Sequence, residues 1–255
     1  MRQLKALVKL SFLELWRRNE VFAFLLLALA LMVPLANASP FGVEGASRYL
    51  DEIALLLVWA FSLFIALGMG SRLFPPEFES RTIYPLLAKP ISRPRLLLGK
   101  YLGAVAATVS ALSLFYALFV VSLLLRGGSI SAEALQAFVL MVVFCAFAVA
   151  VTLFFSLVLT RGAALVVSGT LLAGMFLFGR RLPVYAESVA QPLSWLVKAF
   201  YWLGPHVEFF DMRQRMIHGW GPVDGLVFSV VLGYAFVYIA LLLLASAAVL
   251  GRKRL

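Results

Sequence analysis

Charge is scarce in this sequence. Of its 255 residues, 13% are Asp, Glu, Lys or Arg and 63% are hydrophobic. A soluble globular domain is about 25% charged and about 45–50% apolar. The deficit is concentrated in uninterrupted apolar runs, each long enough as a helix to cross the ~30 Å hydrocarbon layer of a bilayer. Strict alternation of apolar and polar residues is missing, which excludes a membrane β-barrel. The chain therefore reads as an all-α polytopic membrane protein, a single membrane domain over 1–255 with little soluble mass.

Other absences narrow what such a protein can do. There is one cysteine, Cys145, so no disulfide can form within the chain, and its place in an apolar run reads as a small core residue. Neither an HExxH zinc motif nor a GxSxG nucleophile elbow occurs. Ser168-Gly169 has no His partner and reads as helix packing. A phosphate-binding loop is missing too: Gly99-Lys100 is followed by Tyr101, and the required upstream glycine is absent. The centres of the apolar runs hold no Asp, Glu, Lys, Arg or His. Such groups cost at least about 2.5–3.5 kcal/mol at membrane depth and mark proton or ion relays where they occur. No catalytic, cofactor-binding or metal-binding residue is assigned. A carrier of this composition must borrow energy from a partner or be passive. No repeat of 20–50 residues appears, which excludes a solenoid.

Six apolar spans are present, at about 21–37, 53–74, 98–125, 134–160, 162–180 and 225–250. The fourth and fifth are divided only by a turn at Thr160-Arg161-Gly162. The net charge of +10 follows from topology, so no nucleic-acid partner is expected. With the N-terminus inside, fifteen Lys and Arg fall on the cytoplasmic side and seven outside, and cytoplasmic loops collect basic residues. The expected plan is six transmembrane helices, N-in and C-in.

Three regions flank or join the spans. In 1–20, Leu4, Leu7, Val8, Phe12, Leu15 and Trp16 recur at helical spacing, with Lys5, Lys9, Arg17 and Arg18 largely off that stripe. This predicts an amphipathic helix in the cytoplasmic interface, compatible with a plain basic anchor for the first span. A cleavable leader ending at Ala36-Asn37-Ala38 competes for the same residues, but the charged segment is longer and more amphipathic than a leader's basic end. In 181–224, Leu193, Leu196, Val197, Phe200 and Leu203 trace one face of a short external amphipathic helix. His206, Met212, Met216 and His218 could suit copper, but their spacing matches no strong metal motif, and packing of the Met with exposure of the His is the preferred reading. Finally, Gly99, Gly103, Ala107 and Ala111 repeat every four residues. This small-residue face suits close helix contact, within the chain rather than in a dimer.

The segment Glu77–Lys100, EFESRTIYPLLAKPISRPRLLLGK, is the polar exception. Pro75-Pro76 would end span two. Glu77, Glu79 and Ser80 suit a helix's first turn, where negative charge meets the positive helix end. That helix would pass through Thr82, Ile83, Leu86 and Leu87 to Pro90, leaving 75–97 as a cytoplasmic segment between spans two and three. A basic loop obeying the topology rule explains its Arg and Lys, but not its Glu, Thr and ordered prolines. The order Glu79, Thr82, Leu86-Leu87, Pro90-Ile91-Ser92-Arg93, Gly99-Lys100 resembles the ABC-2 type permease family of ABC exporters, with Arg81 standing where Gly is common. The stretch 204–219, GPHVEFFDMRQRMIHG, is similar to that of the branch containing copper-enzyme maturation permeases, with Gly204 and His206 in place of Leu and Asn.

The resemblance implies that the helix at about 77–90 is a coupling helix resting on a separate ATP-binding subunit. Its coupling region would comprise Glu77, Glu79, Thr82, Leu86, Leu87, Arg93 and Lys100. It implies a permease homodimer or pseudo-dimer in membrane lipid, with ATP and Mg held by the partner ATPase and no cofactor in this chain. It also implies residence in a bacterial or archaeal plasma membrane. Export of a hydrophobic or amphipathic substrate, or of a maturation factor handed to an external partner, is the first functional reading. The second is mechanical action on an external partner protein, with no substrate crossing. A passive scaffold or a membrane enzyme is disfavoured by the segment 77–100 and by the missing active-site motifs.

Overall fold

The computed structural model describes residues 2–17, 20–37, 46–80 and 92–253, and among them there is no strand. The helices are α1 (Arg2–Trp16), α2 (Glu20–Asn37), α3 (Ala46–Gly70), α4 (Pro75–Glu79), α5 (Arg93–Leu125), α6 (Ala132–Ser156), α7 (Arg161–Phe178), α8 (Leu182–Ser188), α9 (Leu193–Leu203), α10 (Arg213–His218) and α11 (Gly225–Arg252). Single 3-10 turns occupy Gly179–Arg181 and Val207–Phe210.

A helix lies at each of the six apolar runs, but they are not equal. Among the described residues five segments are long and apolar enough to cross a membrane: Tyr49–Glu79, which holds most of α3, and helices α5, α6, α7 and α11. The apolar part of α2, Val21–Pro34, is shorter. The expected six spans thus divide into five of full length and one at the margin.

Prolines shift two boundaries from their expected places. Helix α3 stops at Gly70 rather than at Pro75-Pro76, and those prolines open α4 instead. A proline in the first helical positions sacrifices no bond, because the N–H groups there lack a partner anyway. Pro94 likewise sits in the first turn of α5, which begins at Arg93 instead of near residue 98.

The centre of the bundle is built on α3, α5 and α6. Two-thirds (67%) of the apolar window is buried in both Tyr49–Glu79 and α6, against 22% in α7 and 11% in α11. Phe115 and Phe119 of α5 and Phe144 and Phe147 of α6 are fully enclosed, and Cys145 lies among them in the core. The exposed Leu226, Leu241 and Leu244 of α11 suit lipid tails, which are as apolar as Leu itself.

The small-residue face of α5 is occupied by the chain itself. Helix α1 lies against it with Leu7 and Ser11 buried, while Lys5, Lys9, Leu10 and Leu13 remain exposed. A Cβ added to Gly103 would stand 2.6 Å from Ser11 Cβ and 2.9 Å from the Val8 carbonyl oxygen, and one on Gly99 would stand 2.7 Å from Leu7 Cβ. Ala107 and Ala111 are fully buried. Gly103→Val is therefore expected to force α1 away at a cost of about 1–3 kcal/mol. Thermal melts and protease cleavage within α1 should both register the change, with Leu102→Ala on the exposed side as a near-neutral control.

The two ends of the bundle are distinguishable. At one end Arg126, after α5, pairs with Asp51 of α3. There, too, the Gln136 side chain of α6 donates to the Val223 carbonyl at 3.0 Å and accepts from the Val223 N–H at 2.7 Å. At the other end α1, α4, the head of α5 and the tail of α11 converge.

The segment 181–224 divides into two parts. Helices α8 and α9 pack mainly on each other, joined by the Ser194 hydroxyl donating to the Ala186 carbonyl at 2.6 Å. Leu193 and Leu196 of α9 are exposed. The stretch 204–216 instead turns back among the helices. The Phe210 ring centroid lies 5.8 Å from that of Phe144 and 6.3 Å from that of Phe147. At 1.5 Å per residue, Phe144 is ~18 Å along α6 from its first residue, so this stretch is re-entrant with respect to the helix bundle.

Candidate functional site

The polar exception in the sequence becomes an interlocked cluster where α4, α5 and α11 meet. Turn residues 71–74 carry the chain from α3 into α4, and Lys100 reaches back to them from the second turn of α5. Its ammonium donates to the Leu73 carbonyl at 2.7 Å, pairs with Glu77 Oε1 at 2.5 Å and stands 5.2 Å from the Phe74 ring centroid. The Lys100 side chain is 8% exposed and that of Glu77 19%. A buried ammonium is tolerated only when its charge and protons are matched, and here a carboxylate, a carbonyl and an aromatic face supply the match.

Arg93, in the first turn of α5, faces the tail of α11. Its Nη1 group donates to the carbonyls of Leu250, Gly251 and Lys253 at 3.0, 2.9 and 3.0 Å. The last carbonyls of a helix lack intrahelical donors, and the helix dipole places negative potential there. A guanidinium satisfies both demands. Lys253 then crosses back to α4, its Nζ 4.1 Å from the centroid of Phe78, which stacks on Phe74 at 5.8 Å.

Of the seven coupling residues expected from sequence, the structure brings Glu77, Arg93 and Lys100 into this cluster. Glu79 sits on the last turn of α4 and is exposed. Thr82, Leu86 and Leu87 lie outside the described residues, as does the remainder of the expected helix to Pro90. Sequence reasoning missed Phe74, Phe78 and Lys253. The spacing of the two Phe around Pro75-Pro76, four residues apart, was the available signal for one shared helix face. Nothing local ties Lys253 to a residue so distant in the chain.

The opposite region of interest is the re-entrant stretch, which carries ionisable groups between the helices although the spans themselves have none at their centres. Arg213 is held by Asp211 through a fork, Nε to Oδ1 at 2.9 Å and Nη2 to Oδ2 at 3.0 Å. Its guanidinium lies 5.2 Å from the Phe176 ring centroid and 5.9 Å from that of Trp59. Glu208 is buried, with Oε1 3.7 Å from His206 Nδ1. The backbone N–H of His206 donates to Tyr234 Oη of α11 at 2.9 Å.

The four residues considered for copper stand in different surroundings. Met212 belongs to the hydrophobic core and Met216 packs against it. His218 is exposed beside Trp220, whereas His206 is buried, its ring 4.5 Å from that of Tyr201. Among the described residues no group of three or more His, Cys, Asp or Glu is placed to hold a metal ion.

The family model described as "ABC-2 family transporter protein" matches residues 7–177, from α1 through α7 and including the whole cluster except the tail of α11. No curated protein matches the chain.

Proposed function

The chain belongs to the ABC-2 family of transporter proteins, and from that premise we propose that it is an exporter permease driven through the segment that begins at α4. Family membership makes it an integral multi-pass membrane protein and the permease subunit of an ATP-binding cassette transporter, with ATP handled by a separate subunit. Such permeases are generally not catalytic themselves.

The observation that carries the coupling reading is the contrast between Glu77 and Glu79. Glu77 is locked to Lys100, which fixes α4 to the head of α5, while Glu79 is exposed on the same short helix. A force applied to the outer face of α4 would therefore be passed to a helix that crosses the membrane. The N-in, C-in plan of six spans, with α2 as the first, follows from the distribution of basic residues. It puts this cluster on the side where ATP is available. An α1 that lies in the cytoplasmic interface, with Lys5 and Lys9 outward, and a permease homodimer in lipid complete the proposal. The peripheral helices α7 and α11 leave broad apolar faces for lipid or a second copy.

Mechanical action on an external protein is the second reading. It is favoured by α9, whose Trp195, Leu196 and Trp202 are exposed, and by the similarity of 204–219 to the branch with copper-enzyme maturation permeases. That stretch lies wholly beyond the family match, which ends at 177, so the branch rests on this similarity alone.

Purification of the chain from its native membrane tests the proposal. An ATPase subunit with a phosphate-binding loop is expected to co-purify. Glu79→Ala should leave the complex assembled and lower permease-dependent ATP hydrolysis several-fold. A functional chain with no ATPase partner would refute the reading. Appearance of substrate across a reconstituted bilayer separates export from mechanical action.

A further inference from the structure

We propose that the last span, α11, is the output rod of the coupling segment, and that Arg93 is the positioning residue that joins the two. The inference rests on the coupling reading above and adds the route by which motion leaves α4.

The joint at the coupling end is a closed ring of contacts. Lys100 ties α5 to α4 through Glu77 and Leu73. Arg93 ties α5 to α11 through the three carbonyls of Leu250, Gly251 and Lys253. Lys253 ties α11 back to α4 over the face of Phe78. Three elements linked pairwise in this way cannot move separately without breaking charge-assisted hydrogen bonds, which are roughly twice as strong as neutral ones.

Helix α11 is suited to carry such motion. It runs for 28 residues without an internal proline, and a helix of that length is a rod of ~42 Å. It is the least enclosed of the spanning helices, with 11% of its apolar window buried, and it meets the bundle along one face, through Ala235, Ile239, Ser246 and Leu250. Its far half grips the re-entrant stretch. Tyr234 Oη accepts from the His206 N–H at 2.9 Å, Tyr238 Oη donates to the Gly204 carbonyl at 3.4 Å, and the Tyr234 and Phe209 rings meet at 5.8 Å. The route therefore runs from α4 through Arg93 along α11 to residues 204–210, which plug the opposite half of the bundle. Physical continuity makes a route possible, and it is established only when both ends bias one element between two positions.

The experiment uses the native complex of the chain with its ATPase subunit. Spin labels at Ser229→Cys, near the far end of α11, and Leu135→Cys, exposed on the first turn of α6, report their separation with and without a Mg-bound, non-hydrolysable ATP analogue. Cys145 is buried and remains unlabelled. The expected result is a nucleotide-dependent change of separation that falls at least five-fold in Arg93→Ala. Arg93→Lys should keep more than half of it, because an ammonium can donate to the same carbonyls. Should Arg93→Ala not assemble, Lys253→Met and Phe78→Leu each cut the return link to α4 and should at least halve the change. An undiminished change in Arg93→Ala, or in both of the latter variants, would overturn the inference. So would an unchanging distance in a wild-type complex that hydrolyses ATP. In all of these cases the permease reading survives, whereas failure of any ATPase subunit to bind removes that reading itself.

Discussion

Lys100→Met is expected to cost about 3 kcal/mol of stability, at the low end of the ~3–5 kcal/mol seen when one partner of a buried ion pair is removed. The low end applies because the Glu77 side chain keeps 19% exposure. The substitution preserves much of the volume and the apolar stem against Phe74, so the loss isolates the ammonium. What remains is a Glu77 carboxylate facing the shell around Leu73 and Phe74 without its cation. For a chain of this size ~3 kcal/mol corresponds to roughly 6–12 °C in Tm. The double variant Glu77→Gln with Lys100→Met should recover most of that loss, since a neutral replacement of a buried pair is often close to neutral overall. Melts of the four proteins of this cycle in lipid nanodiscs give the answer. A single variant as stable as the parent would mean that the pair is solvated in the membrane.

Arg213→Ala should be at least as damaging. It strips Asp211, whose side chain is 11% exposed, of a bidentate partner and leaves a carboxylate enclosed among helices, for about 3–5 kcal/mol. It also removes a cation from between Phe176 and Trp59, a further ~1 kcal/mol or more where water is excluded. Arg213→Lys should rescue only in part, because an ammonium cannot reproduce the planar fork or its stacking. Asp211→Asn should be milder than Arg213→Ala, as it keeps an acceptor for the Arg213 N–H. Thermal melts together with protease cleavage within 204–224 distinguish a released re-entrant stretch from global loss. Equal stability of Arg213→Ala and the parent would place this stretch at the surface and not among the helices.

What the sequence revealed and what it concealed follow from the range of the forces involved. Apolar runs of about 20 residues declare membrane helices by length alone; a helix stands at each of the six runs, and five of them reach spanning length among the described residues. The margin was lost where length is borderline, at α2, and where proline has two meanings. Pro75 and Pro76 break a helix in its interior yet open one at its first turn, and only the three-dimensional path decides. The re-entrant 204–216 was invisible because its buried apolar residues, Val207, Phe210 and Met212, are too few and too interrupted by Glu208 and Asp211 to read as part of the core. Irregular backbone can enter a bundle of apolar helices only where those helices enclose it, a condition no local pattern records. The cluster that joins α4, α5 and α11 was half legible. Glu77, Arg93 and Lys100 stood out as charges in order, whereas the partner of Arg93 lies 157 to 160 residues away.

The central claim is that work enters this chain at α4 from a separate ATPase. A photo-crosslinking amino acid placed at Glu79, exposed at the end of α4, tests it most directly in intact native membranes. The account predicts one dominant adduct, to the ATP-binding subunit, with a yield that changes when nucleotide is bound. Adducts to lipid or to other proteins alone, with the ATPase subunit present and unlabelled, would contradict it.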